Sequence, residues 1–259
     1  MEISFKGKTV AVTGAAGAIG SALALRFAES GANVAVCYNR TAPEEVLAKI
    51  AETGGVAKGY RLDVSNPEDA RAVCQQIADD FGGIDVWINN AGVNVPSEKR
   101  FPIHEFDDQW WDRIINVDLN GVYHCSKAAV PHMKGREGAS ILNISSVVGM
   151  VPFRKQCAFT AAKAGVINLS KAMALELAEL GIRVNVLSPG TIAMEGTAKL
   201  WANNSAMEAL LSHIPQHRQG GPDDIAYTAM FMSSDKAGYM TGAVLNVDGG
   251  WLCGYARDF

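Results

Sequence analysis

The chain is predicted to be an α/β protein, a single doubly wound parallel sheet flanked by helices on both faces. Three observations predict it. Short apolar runs bounded by turns recur along the 259 residues, as buried parallel strands do. Helical stretches separate those runs, which suits right-handed crossover connections. Polar clusters at 14–20, Asp63, 89–92, 145–146 and 189–190 all stand where an apolar run stops. In such sheets ligands sit at the carboxyl ends of strands, beside the switch point in strand order. Five clusters at equivalent places describe a site.

The elements follow in order. Residues 8–13 (KTVAVT) form the first strand, and GAAGAIGSALALRFAESG passes from glycines into a helix closed at Gly31. Strand, glycine-rich turn and helix together suit an anion, because free amides open a helix. Gly14, Gly17 and Gly20 alone are weak evidence, since small residues are common at tight turns. Residues 33–38 are the second strand, and Thr41-Ala42-Pro43-Glu44 reads as a capping box for the next helix. Residues 56–62 lead into Asp63 and Val64, and 67–81 are helical, closed by Gly82 and Gly83. A fourth strand, 84–88, ends in Asn89-Asn90-Ala91-Gly92. A polar loop precedes a long helix from about 107 to 132. Residues 183–187 form a strand stopping at Ser188-Pro189-Gly190. Residues 191–221 are polar and irregular and read as a mobile substrate flap, followed by a helix at 222–232 and a last strand at 243–247. No linker, repeat or low-complexity run divides the chain, so residues 1–259 are expected to form one domain.

Composition narrows the class. A net charge of −4 gives no reason to expect nucleic acid. No apolar stretch approaches the roughly 20 residues of a membrane span, and the N-terminus lacks a signal-peptide layout. The cysteines, five and scattered, read as reduced thiols. The expected location is cytoplasmic and the expected partner a small molecule. His213 and His217 are four apart, but Pro215 breaks the helix they would need to share, so no metal is expected.

The segment 141–163 (ILNISSVVGMVPFRKQCAFTAAK) carries the chemistry. An apolar strand ends in Ser145 and Ser146, and an Ala-rich helix carries Phe159 and Lys163 four apart, hence on one face. Lys163 among alanines and a valine is an odd place for a merely solvated lysine, although a snorkelling stem is the dull alternative.

With these residues placed, the chain resembles the short-chain dehydrogenases/reductases over essentially its whole length. The resemblance rests on TGAAGAIG, Asp63-Val64, NNAG at 89–92, NVDLNG at 116–121, NISS at 143–146, AFTAAK at 158–163 and SPGTI at 188–192. It implies a Rossmann-like fold, a nicotinamide cofactor and hydride transfer between a secondary alcohol and a carbonyl. By position it implies that Asn116 holds a water in a proton relay, Ser146 orients the carbonyl oxygen and Lys163 holds the cofactor ribose. Asn120 competes with Asn116, and Ser145 with Ser146. The implied cofactor contacts are Gly14, Ala18, Ile19, Gly20, Tyr38, Asn39, Arg40, Asp63, Val64, Asn90, Ala91, Gly92, Lys163, Pro189, Gly190, Thr191 and Ile192. A homotetramer or homodimer is implied, through helices near 107–132 and 158–178.

Two departures stand out. Ala18 replaces the usual middle glycine of the turn, a small perturbation. Phe159 occupies the family's acid/base position, where a tyrosine is expected; the thirteen-residue separation from Ser146 supports that alignment. Phenylalanine keeps the ring but moves no proton, which removes on the order of 10²–10⁴ in rate. A deliberate Tyr-to-Phe substitution is one explanation, favoured by the otherwise intact machinery. A natural, catalytically dead member acting as a cofactor-binding regulator or scaffold is the other.

Cofactor choice rests on the end of the second strand. Tyr38-Asn39-Arg40 offers a guanidinium and no carboxylate, which favours the 2′-phosphate of NADP over NAD. Gly17 argues the other way, where NADP-preferring relatives often carry a basic residue. Asn94, Arg154 and Gln156, with Ser146, flank the expected pocket and suit a sugar, polyol or sugar acid; a solvated turn at Arg154 and Lys155 is the plain alternative.

Overall fold

The computed structural model describes residues 3–193 and 204–254. Seven parallel strands form one sheet in the order β3-β2-β1-β4-β5-β6-β7. They are β1 Thr9–Thr13, β2 Asn33–Tyr38, β3 Val56–Arg61, β4 Val86–Asn89, β5 Ser140–Ile144, β6 Arg183–Pro189 and β7 Val244–Val247. Strand order reverses between β1 and β4, which are hydrogen-bonded neighbours. Every polar cluster picked out in the sequence lies at the carboxyl end of a strand, and those after β1 and β4 flank the switch point.

The strands are apolar on both faces because both faces are covered. Val10, Val12, Val34 and Val36 pack on one side, against α1 (Ala18–Glu29), α2 (Glu44–Glu52) and α8 (Pro222–Ser233). Ala11, Ala35, Trp87 and Ile141 pack on the other, against α3 (Pro67–Phe81), α5 (Gly121–Met133) and α6 (Cys157–Leu177). Asn66 caps α3 by accepting the backbone N–H of Glu68 at 2.9 Å, and Gly82 ends that helix in the left-handed region.

Three local expectations are corrected. Thr41 and Glu44 do not form a capping box: α2 begins at Glu44 itself, after Pro43, with no side-chain cap. The long helix of the fourth crossover is not uniform. Asp108–Ile114 (α4) and α5 are joined by a π-helical stretch, Ile115–Asn120. Residues 191–221 are not wholly irregular, because Asn204–Leu211 is helical (α7) and Ile192 bridges to Gly220 in parallel. Residues 194–203 of the expected flap lie outside the described residues. Among the described residues no helix is long and apolar enough to cross a membrane.

Candidate active site

The glycine-rich turn is held against the β4 loop by a set of short bonds. Asn90 donates through Nδ2 to the Thr13 and Gly14 carbonyls at 2.9 and 3.2 Å. The Asn90 and Ala91 backbone N–H groups donate to the Thr13 hydroxyl at 2.9 and 3.0 Å. Gly14 has φ +64°, and a Cβ there would stand 2.9 Å from the Ala91 Cα, so glycine is required both by conformation and by space. Helix α1 starts immediately beyond, with no side-chain cap and no acidic residue in its first turn. The opening amides at Ala18, Ile19 and Gly20 are thus left for an anion. Ala18 at the first helical position is accommodated, half-buried, without disturbing the turn. These residues fit the pyrophosphate of a dinucleotide.

Beside the turn, Asn39 and Arg40 are exposed at the end of β2 and act on Asp63 at the end of β3. Hydrogen bonds from the Ser65 hydroxyl and N–H hold the Asp63 carboxyl below its ordinary range, with Asn39 and Arg40 adding to the effect. Val64 is buried. Across the switch point, Pro189, Gly190 and Thr191 leave β6, and Ile192 is buried against the segment at Gly220.

The end of β5 meets α6 as the sequence suggested. Ser145 is buried and its hydroxyl donates to the Lys163 carbonyl at 2.9 Å, a structural bond. Ser146 is half-buried, and its hydroxyl accepts the Val148 N–H at 3.3 Å, which leaves its own proton for another acceptor. Lys163 is 5% exposed, and its Nζ donates to the Ile144 carbonyl at 3.3 Å. The same Nζ lies 5.4 Å from the centre of the half-buried Phe159 ring.

Asn116 does not join this cluster. It is exposed, and its amide oxygen accepts from Asn120 Nδ2 at 2.9 Å on the outer face of the helix. The side chain that reaches the cluster is Asp118, fully buried, its Oδ2 3.0 Å from Lys163 Nζ and its Oδ1 accepting the Val93 N–H at 2.7 Å. Burial pushes the Asp118 carboxyl above its ordinary pKa, while Lys163 and the Val93 N–H pull the other way. Gly92 passes so close that a Cβ would lie 2.8 Å from Asp118 Oδ2 and 3.4 Å from Lys163 Nζ. Asp118 is therefore the site residue that sequence reasoning missed. Its signal was a carboxylate on the apolar side of the helix, spaced with Ile114, Val122 and Cys125.

Of the expected substrate contacts, Asn94 Nδ2 donates to Gln156 Oε1 at 3.1 Å, and Gln156 is buried, so the two form one rigid edge. Arg154 is exposed, next to Lys155 in the left-handed region at φ +62°. The Phe153 and Trp251 rings meet at a tilt with centres 4.7 Å apart, which brings Trp251 to this loop. His213 and His217 share no helix, and among the described residues no group of three His, Cys, Asp or Glu side chains could hold a metal.

Over residues 14–252 the chain matches a family model described as enoyl-(acyl carrier protein) reductase. It is 39% identical over 250 residues to 3beta-hydroxysteroid dehydrogenase 1 of Eggerthella lenta, spanning 95% of this chain and 94% of that protein. Among crystal structures it is 36% identical, with a TM-score of 0.89, to a protein provisionally named 2-deoxy-d-gluconate 3-dehydrogenase from Agrobacterium tumefaciens, solved with bound NADP. That match spans 98% of this chain and 99% of the other. A second, provisionally named D-mannonate oxidoreductase, from Haemophilus influenza with bound NAD, is 27% identical with a TM-score of 0.90 over 97% of each chain.

Proposed function

The chain belongs to the short-chain dehydrogenase/reductase family, and on that premise we propose that it is a nicotinamide-dependent oxidoreductase interconverting a secondary alcohol and a carbonyl, slowed in this form by Phe159. The observation that carries the reading is Lys163 Nζ standing 5.4 Å from the Phe159 ring centre, on a helix that Ser145, the neighbour of half-buried Ser146, ties to the end of β5. A bound nicotinamide supplies or accepts the hydride. Ser146 donates to the carbonyl oxygen and orients it. Lys163 holds the cofactor ribose, and Gly14, Ala18, Ile19 and Gly20 hold the pyrophosphate. Asp63 and Val64 border the adenine, while Asn90, Ala91, Gly92, Pro189, Gly190, Thr191 and Ile192 complete the groove. Phe159 supplies a ring surface for substrate and no proton.

NADP is the preferred cofactor in this reading, because the end of β2 presents Arg40 and Asn39 without a carboxylate. The substrate is a sugar, polyol or sugar acid. Support comes from the polar pair of Asn94 and Gln156 and from the two sugar-acid names among the structural neighbours. Arg154, exposed on the loop before α6, serves as a counter-charge for a carboxylate. The protein works as a cytoplasmic homotetramer or homodimer.

Phe159→Tyr tests the reading. Carbonyl reduction over a panel of sugar-derived and simple ketones, with NADPH and NADH, is expected to rise on the order of 10²-fold or more over the parent. No turnover with any substrate and either cofactor would overturn it.

Asp118 favours a second reading. The resemblance implies an asparagine in the proton relay, and the position facing Lys163 holds a carboxylate. A buried carboxylate paired to Lys163, in addition to Phe159, is more than one inactivating substitution explains. A natural member whose chemistry has been altered or lost, retaining cofactor binding as a regulator or scaffold, accounts for both. A native tyrosine codon at position 159 in the encoding gene would rule this reading out.

A further inference from the structure

We propose that Asp118 is a positioning residue that cancels the charge of Lys163, so that a hydroxyl restored at position 159 stays unactivated while Asp118 is present. The inference rests on the reading that Phe159 occupies the proton-donor position. Lys163 Nζ is 5.4 Å from the Phe159 ring centre and 3.0 Å from Asp118 Oδ2, with both charged groups out of solvent. A cation at such a distance stabilises an anion forming at 159; a carboxylate 3.0 Å from that cation removes most of that effect. The ion pair is also locked in place. Gly92 passes over it with no room for a side chain, the Val93 N–H fixes Asp118 Oδ1, and the Ile144 carbonyl accepts from Lys163.

Among the described residues nothing else charged offsets this arrangement. The loop at 89–95, the turn Val147–Gly149 and the π-helical stretch bring no other titratable side chain to the pair. Asp108, Asp112 and Arg113 of α4 are exposed. The centre is therefore a neutral pair beside an apolar ring, where a lone cation would draw a proton off a neighbouring phenol. Carbonyl reduction needs the protonated phenol and tolerates this neutrality. Alcohol oxidation needs the phenolate and is confined to alkaline pH.

The test is an ultraviolet difference titration of phenolate absorbance, which needs neither substrate nor cofactor. Phe159→Tyr is measured against the parent, and Phe159→Tyr with Asp118→Asn against Asp118→Asn alone, so that the six native tyrosines cancel. With Asp118 present, the added phenol is expected to titrate at about 10 or above. In the Asp118→Asn background the midpoint is expected about one to two pH units lower, the influence of one charge at roughly 8 Å in an effective dielectric near 20. Should the amide variant fail to fold by circular dichroism, Asp118→Ser replaces it with the same expected direction. Equal midpoints in the two backgrounds, or a phenol that titrates toward neutrality beside Asp118, overturn the inference. Turnover of the same variants is read separately. A shifted midpoint without any hydride transfer upholds the role of Asp118 and sinks the oxidoreductase reading; turnover with unshifted midpoints does the reverse.

Discussion

Lys163 and Asp118 hold each other in the interior, and the two deletions are not equivalent. Lys163→Met strands a buried carboxylate without a counter-charge, which costs about 3–5 kcal/mol. Asp118→Asn keeps the shape and a hydrogen-bonding oxygen for the Val93 N–H, and is expected to cost less. Urea unfolding of the two variants measures this, and equal losses would contradict the asymmetry. Gly92→Ala pushes a methyl into Asp118 Oδ2 and is expected to lower stability by about 1–3 kcal/mol. At this scale a lysine among alanines and a hydroxyl at a strand end are unusual in themselves, and the structure buries Lys163 and leaves Ser146 half-buried. Asn116 was placed by motif order, which does not say which side of the helix a residue faces. The buried stripe Ile114, Asp118, Val122 and Cys125 runs at helical spacing and leaves 116 facing solvent.

Among the elements, α1 and α8 are tied by a bidentate bond from Arg26 to Asp223 at 2.9 and 2.8 Å, and Arg218 and the Gly221 N–H bind Asp224 at 2.8 Å. The hydrogen bond from Arg26 lowers the pKa of Asp223, the one from Arg218 lowers that of Asp224, and Ser65 lowers that of Asp63. Carboxyls with folded-state pKa values below their unfolded values contribute stability above about pH 4, and lose it as pH falls through the folded values. Thermal unfolding is expected to hold steady from neutrality to about pH 5 and to decline modestly below about pH 4. All three groups are at least partly exposed, so each share is small. In Asp223→Asn with Asp224→Asn the acid limb should be shallower, and an unchanged limb would remove these groups from the explanation. Strands and their ends were readable because burial on both faces leaves uninterrupted apolar runs. The start of α2 was not, since Pro43 pre-sets the backbone for a helix beginning at Glu44 and leaves Thr41 outside it. Helix α7 was missed because NSAMEALL is short and sits in a polar surrounding.

For the molecule as a whole, strand order places the glycine turn, the NNAG loop, the Ser146 loop and α6 along one edge of one sheet. That convergence followed from parallel topology alone, once each polar cluster was seen to end a strand. Cofactor identity is a property of the same edge. A ligand at 100 times its Kd adds about 2.7 kcal/mol to stability, so thermal shifts rank NADPH against NADH directly. NADPH is expected to shift the midpoint further at equal concentration, and Arg40→Ala to abolish the difference. A larger shift with NADH would reverse the cofactor assignment. Substrate identity was the least legible feature, because Asn94 and Gln156 bond each other and their residue types alone do not say which groups they leave for a ligand.

The most direct measurement is pre-steady-state hydride transfer in the parent and in Phe159→Tyr, with NADPH affinity determined on both by titration. Equal affinities with carbonyl reduction faster on the order of 10²–10⁴-fold in the tyrosine variant are expected of a bound cofactor beside an absent proton donor. Equal rates in the two proteins, or no detectable NADPH binding by either, would contradict it.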